Sequence, residues 1–150
     1  MTFNDNYFIA GTLIQQRLRE QVPGLAFVDG SRSIKEIIDR TCATPAAVVV
    51  YDGDIIKDAP GQSADLGRVQ VVQQRWHIEL LVHNHSSFVS GEGEREEAGQ
   101  LLSQIINALS GWAPSNEHKA MRRIQAPLPT HTNDGYGYYP IKFITEIVTQ

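Results

Sequence analysis

Residues Arg68 to His85 read RVQVVQQRWHIELLVHNH, the longest continuous β pattern in the chain. From Val72 onward, every second residue is mostly apolar: Val72, Trp76, Ile78, Leu80 and Val82. Arg75, His77, Glu79 and His83 alternate with them, and Leu81 is the one apolar exception. A period of two describes a strand with one face on a core and one toward water. Val69 and Val71 lie on the other parity, which predicts a bulge or twist near Gln73–Gln74. The run far exceeds a common strand of about 5–6 residues. It therefore predicts a central strand whose N-terminal end projects beyond the body, with Arg75, His77 and Glu79 on the solvated face.

Immediately before it lies Gly53 to Gly67 (GDIIKDAPGQSADLG), which has no sustained period and is rich in Gly, Pro, Asp and Ser. Connections of this length in a compact domain are usually functional or disordered. The segment reads as a long projecting hairpin loop. Ala46 to Asp52 (AAVVVYD) precedes it as a near-continuous apolar strand, the pattern of an interior position. Farther upstream, Ser33 to Arg40 predicts a short helix, Asp29–Ser31 a turn and Leu25–Val28 a short strand. A helix is expected from about Asn4 to Val22, with Ile9, Leu13, Ile14 and Leu18 on one side and Pro23–Gly24 ending it.

Downstream, Gly91 to Trp112 predicts the main helix. Ala98, Leu101, Leu102, Ile105, Leu109 and Trp112 form its apolar stripe, and glutamates crowd its first turns, where the helix dipole favours them. Arg122 to Ala126 reads as a strand stopped by Pro127, and Thr130 to Gly137 as a loop. Tyr138 to Thr149 is a final strand with apolar residues on both faces, which implies burial at one end or contact with another subunit. The fold expected is α+β: one mostly antiparallel sheet of about four or five strands, with two main helices on one face and the long loop projecting. Residues 1–150 are expected to form one domain.

The 41% hydrophobic and 20% charged content is that of a soluble globular chain. A net charge of −4, with only Arg17–Arg19 and Lys119–Arg123 as short basic clusters, argues against a nucleic-acid binder. Cys42 is the single cysteine, which excludes an internal disulfide and a thiolate metal cluster. The N-terminal MTFNDNYF has no apolar signal-peptide core, and no apolar run is long enough for a membrane span. These features predict a cytosolic setting.

Chemistry-bearing residues are scattered. His77 and His83 are about 20 Å apart along an extended strand and cannot share an ion. His83 and His85 are two apart, the basis for an alternative reading as a metal-dependent hydrolase, but no third ligand lies nearby. Gly91-Glu92-Gly93 lacks a third glycine for a phosphate turn. No catalytic residue, metal site or cofactor is expected. Tyr136, Tyr138 and Tyr139 read equally as an interface anchor or as a cap on the sheet edge.

The succession of elements carries a resemblance. An N-terminal helix is followed by Leu25-Ala-Phe-Val28, Ala47-Val-Val-Val50, a loosely patterned loop and Trp76-His-Ile-Glu-Leu-Leu-Val82. Glu94–Leu109 (EREEAGQLLSQIINAL) and the YYPIKFITEIVT strand complete it. From about Ile9 to Val148 the chain is similar to phage tail terminator proteins, particularly those of Mu-like phages and prophages. The resemblance rests on the order and texture of elements and not on a diagnostic motif. It implies a non-enzymatic subunit of a hexameric ring that caps the head-proximal end of the tail tube, ends tube polymerisation and offers the head-joining surface. Implied partners are further copies of the chain, the tail tube protein and a head-completion or connector protein, with no membrane and no sequence-specific nucleic acid. The implied setting is the host cytoplasm during assembly and then the virion tail. A head–tail connector or tail-completion subunit is the alternative. The loop Gly53–Gly67 matches the arm that orders on assembly in that family. Lys57, Asp58, Asp65, Arg68, Arg75, His77, Glu79, Tyr136, Tyr138 and Tyr139 are the candidate subunit or tube interface.

Overall fold

The computed structural model describes residues 3–33, 43–58, 69–83 and 92–150. Among these are two helices and six strands in the order α1 (Ile9–Gln21), β1 (Phe27–Ser31), β2 (Ala46–Asp58), β3 (Gln70–His83), α2 (Glu92–Leu109), β4 (Arg122–Ile124), β5 (Thr130–His131) and β6 (Tyr136–Thr149). One sheet carries the strands in the order β1-β2-β3-β6-β4, with β5 also on the outer edge of β6. Pairing is parallel for β1–β2 and antiparallel elsewhere. The fold is α+β, with one strand more than the sequence suggests. The extra strand is β5, two residues inside the turn-rich Thr130–Gly137.

β3 is central, as its length implies, but its N-terminal end does not project alone. Gln70–Gln74 pair with Asp54–Asp58 on one side, and the β3–β6 ladder runs unbroken from Gln70↔Thr149 to His83↔Tyr136 on the other. The first residues of the expected loop, 53–58, are therefore strand. The remainder of that loop, 59–67, Arg68 at the start of the expected strand, and the helix expected over Ser33–Arg40 lie outside the described residues, apart from Ser33.

The bulge falls on β2, not β3. Tyr51 pairs with Trp76 and Asp54 with Gln74, so Asp52 and Gly53 together oppose Arg75. Gly53 has φ +88°, a left-handed conformation open to glycine at little cost. The apparent change of parity in β3 has another cause. Gln74 occupies an inward position and is fully buried. Its Nε2 donates to the Tyr7 carbonyl (2.7 Å), so a polar residue takes an apolar slot with its amide satisfied.

Both helices cover one face of the sheet. Ala10, Ile14 and Leu18 of α1 and Ala98, Leu101, Ile105 and Leu109 of α2 pack over Trp76, Ile78, Leu80, Val82, Ile141 and Phe143. Fully burying an aliphatic side chain contributes roughly 1.5–3 kcal/mol, so this layer is the main source of cohesion. α1 approaches so closely at Gly11 that a Cβ there would lie 2.6 Å from the Trp76 ring. The helix begins at Ile9, later than the pattern suggests, because Asn6 uses its side chain and carbonyl to accept the N–H groups of Phe8 (3.0 Å) and Ile9 (2.9 Å). Arg17 and Arg19 are structural ties. Arg17 Nε donates to the Ala108 carbonyl (2.9 Å) with its guanidinium 5.4 Å from the Trp112 ring centre, and Arg19 donates to the Val28 carbonyl (2.8 Å).

The opposite face is buried too. Ala46, Val48, Val50, Leu81 and Tyr138 form a second apolar cluster flanked by Phe27 and Tyr136. His77 is 1% exposed and Glu79 5%, so the solvated-face reading of these two residues is corrected. The β2 run AAVVV foreshadows this, since an apolar residue at every position is the mark of a strand covered on both faces. Asp29-Gly30-Ser31, expected as a turn, instead continues β1 in parallel register with Val48–Val50.

Candidate functional site

The chemistry of the molecule gathers around the bulge and the strand positions beside it. On the helix side, the Tyr7 hydroxyl donates to Asp54 Oδ2 (2.5 Å) and the Tyr51 hydroxyl to the same oxygen (2.7 Å). The bulge makes this possible, because it shifts β2 by one residue and brings Asp54 to the side of the sheet occupied by Tyr51. The two hydroxyls, with the positive Arg75 nearby, hold the Asp54 carboxyl below the usual carboxylate range. Burial and then the hydrogen bond to Asp54 push both tyrosines up. The cluster continues into edge-to-face ring contacts of Tyr51 with Phe8 (4.9 Å) and Trp76 (5.2 Å). A carboxylate fixed by two phenols is held rigidly; its hydrogen bonds anchor the N-terminal segment to the bulge.

The other face carries a polar stripe along β3. His77 Nε2 and Glu79 Oε2 are 2.5 Å apart, while His77 Nδ1 and Arg75 Nε are buried with no hydrogen-bond partner among the described residues. Neighbouring β6 contributes Lys142, whose Nζ donates to Asp52 Oδ2 (2.7 Å). Glu146 accepts from Gln73 Nε2 (2.6 Å) and pairs with Lys119 (3.3 Å). The Gln73 bond, and secondarily Lys119, keep the Glu146 carboxyl below its ordinary value. The expected trio Arg75, His77 and Glu79 thus sits together on one strand. His77 and Glu79 are interior groups, with Val50 and Lys142 beside His77 and Val48 and Pro140 beside Glu79.

The tyrosines separate. Tyr139 belongs to the helix-covered core and Tyr138 to the second cluster, both buried, because neighbours along a strand point to opposite faces. Tyr136 is half-buried and stacks on the His83 ring (4.1 Å between centres, 20° between planes). His83 Nε2 lies 2.8 Å from the Asp134 carbonyl oxygen. His85 lies outside the described residues, and among the described ones no three His, Cys, Asp or Glu side chains are grouped as metal ligands. Of the remaining candidates, Lys57 is exposed and Asp58 ends β2, while Asp65 and Arg68 fall outside the described residues.

Two surface features were not singled out from the sequence. One is the outer edge of β2 beyond β1. β1 pairs only with Ala46–Val50, so Asp54–Asp58 has no strand partner on that side among the described residues. Ile55 and Ile56 on this edge are 44% and 54% exposed. Their signal was legible: two adjacent isoleucines inside an otherwise polar GDIIKD. The other is a groove of about 560 Å³ at the opposite edge. β4 and β5 pair with β6 at Lys142–Ile144 and Gly137–Tyr138, and the groove lies against the stretch of β6 between those two pairings. Leu102, Arg123, Ile124, Pro127, Pro129 and Ile141 are among the residues that line the groove, and Leu128, between two of them in sequence, stands 85% exposed.

No helix among the described residues is long and apolar enough to cross a membrane. A search of curated proteins finds no match to the chain. Among solved structures, a chain from the virion of a native gene transfer agent particle is similar, at 13% identity and a TM-score of 0.59. The match covers 95% of this chain and 99% of that one, a likeness of fold from end to end. The family model for the phage tail terminator protein matches residues 4–150, taking in both helices, all six strands and both open sheet edges. The chain therefore belongs to the phage tail terminator protein family and is a structural protein of the phage tail.

Proposed function

We propose that this protein forms a homo-oligomeric ring, a hexamer, on the head-proximal end of the tail tube. There it stops tube polymerisation and offers the surface to which the head joins. Its partners in this reading are neighbouring copies, the tube protein and a head-completion or connector protein. It works in the host cytoplasm during assembly and remains in the virion tail. Residues 1–150 act as one domain, and their contribution is shape and contact, not catalysis. The observation that carries the reading is the family match over residues 4–150. The segment Gly53–Gly67 is the arm that meets the tube in this scheme, with Lys57, Asp58 and Asp65 within it and Arg68 directly after it.

The test is removal of the gene from the phage or prophage and electron microscopy of the particles. Overlong, headless tails restored to normal length by the plasmid-borne protein are expected. Tails of normal length joined to heads without the protein would sink the proposal. Tails of normal length that remain unjoined would point to a tail-completion or connector role, and antibody labelling would then locate the protein on the particle.

A further inference from the structure

We propose that copies of this protein meet head to tail through the two open edges of the sheet, with Ile56 of one copy seated in the groove beside Leu128 of the next. The inference rests on the ring reading above and names the contact that would build it.

The two edges are unlike each other and complementary. One presents Asp54-Ile55-Ile56-Lys57-Asp58, which carries two acids against one base. The other presents β4, Arg122-Arg123-Ile124, with both arginines exposed. Register places the isoleucines on different faces. Ile56 pairs with Val72, on the helix side of the sheet, and Ile55 with Gln73, on the reverse. The groove is also on the helix side, since Leu102 of α2 and Ile141 line it and Arg123 pairs with the core residue Phe143. An apolar knob and an apolar recess therefore occupy the same face at opposite edges. Exposed apolar residues on an unpaired strand edge invite pairing with another chain. Burying Ile56 and Leu128 together removes the two most exposed large apolar side chains among the described residues.

The geometry also selects how copies are related. β2 and β4 run in opposite directions, because an odd number of antiparallel steps separates them. Copies repeated with the same orientation thus bring β4 of one antiparallel to β2 of the next. Ile56 is level with Ile147 and the groove with Pro140, a stagger of about 23 Å at ~3.3 Å per residue. The line of contact then runs obliquely across the sheet, as shear does in a barrel. A two-fold contact between two β2 edges is disfavoured, since antiparallel self-pairing about Ile56 would set Asp54 against Asp58 twice. Two different patches on one subunit generate a ring when the rotation closes.

The experiment is disulfide trapping in cells that assemble tails from an Ile56→Cys/Leu128→Cys chain, with each single substitution as a control. A ladder of cross-linked species from the double variant, and none comparable from either single variant, is expected. Dimers from Ile56→Cys alone matching those of the double variant would overturn the proposal in favour of a two-fold β2 contact. Normal-length tails built from the double variant without any cross-link would overturn it too, leaving the ring reading in place. Ile56→Arg, at an exposed site, should abolish length control while leaving the midpoint of urea unfolding unchanged; retained length control counts against the contact. Failure of the tail-ending role itself shows separately, as normal tails in the absence of any form of the protein.

Discussion

Replacing the buried His77–Glu79 pair with leucines tests whether these two polar groups stabilise the chain or merely satisfy each other. Both are interior, on a strand whose neighbours at those levels include Val48 and Val50. Each is the other's hydrogen-bond partner at 2.5 Å, and His77 Nδ1 has none among the described residues. His77→Leu leaves a buried carboxyl without its donor, a change that costs roughly 3–5 kcal/mol. Glu79→Leu leaves a buried imidazole with no partner on either nitrogen, a loss of about 1–3 kcal/mol. Independent effects would then sum to at least about 4 kcal/mol, against a total stability of roughly 5–15 kcal/mol. The double variant instead gives a continuous apolar stripe, and swaps of a buried ion pair for packed apolar residues are often neutral or stabilising. The expected loss is therefore no more than about 1 kcal/mol. Equilibrium urea unfolding of the four proteins measures this, with stability read from the midpoint at constant slope. A double variant as unstable as His77→Leu would show that the pair contributes net stability, and the reasoning would be wrong.

Gly53→Ala forces a Cβ into a left-handed conformation at the bulge and should lower stability by about 1–2 kcal/mol, visible as a lower urea midpoint; an unchanged midpoint means the bulge relaxes freely. Tyr7→Phe and Tyr51→Phe each remove one hydroxyl donor from Asp54, at a cost of about 1 kcal/mol at neutral pH. Because the Asp54 carboxyl is depressed in the folded state, its contribution is present above the ordinary value of 3.8 and is lost as pH falls through the lower folded value. Either substitution lets that value rise, so acid unfolding should begin at higher pH. An acid limb identical to that of the parent would refute the assignment. Replacing residues 59–68 with a short Gly-Ser turn should leave the urea midpoint near that of the parent and produce overlong tails; tails of normal length would rule out the arm.

Much of the fold was legible because periodicity reports directly on burial. The α2 stripe Ala98, Leu101, Ile105 and Leu109 and the β3 run Trp76, Ile78, Leu80 and Val82 each point to one face, and the structure joins those faces. Failures came where a residue's type and its environment diverge. Gln74 mimics a phase change because a glutamine fills an inward slot, its amide satisfied by a backbone carbonyl 67 residues away. His77 and Glu79 read as solvated because each is polar, yet each finds its partner two positions along the same strand. The Tyr7–Tyr51–Asp54 cluster was invisible because its members meet only through the bulge and the docking of the N-terminal segment.

Local chemistry thus determined the types and order of the long elements α1, β2, β3, α2 and β6, the centrality of β3 and the helix-bearing face. These depend on spacings of two and of three to four residues that any segment carries within itself. Only the tertiary structure decided which strands are edges, since that depends on what each strand lacks beside it. Among the described residues, β1 pairs with Ala46–Val50 and no strand flanks Asp54–Asp58 on that side, while the groove lies between β4 and β5 beside β6. An unpaired backbone is a property of the neighbours and not of the residues that bear it. Those edges, with Ile56 on one and the groove on the other, are the surfaces through which copies of this tail protein are proposed to meet.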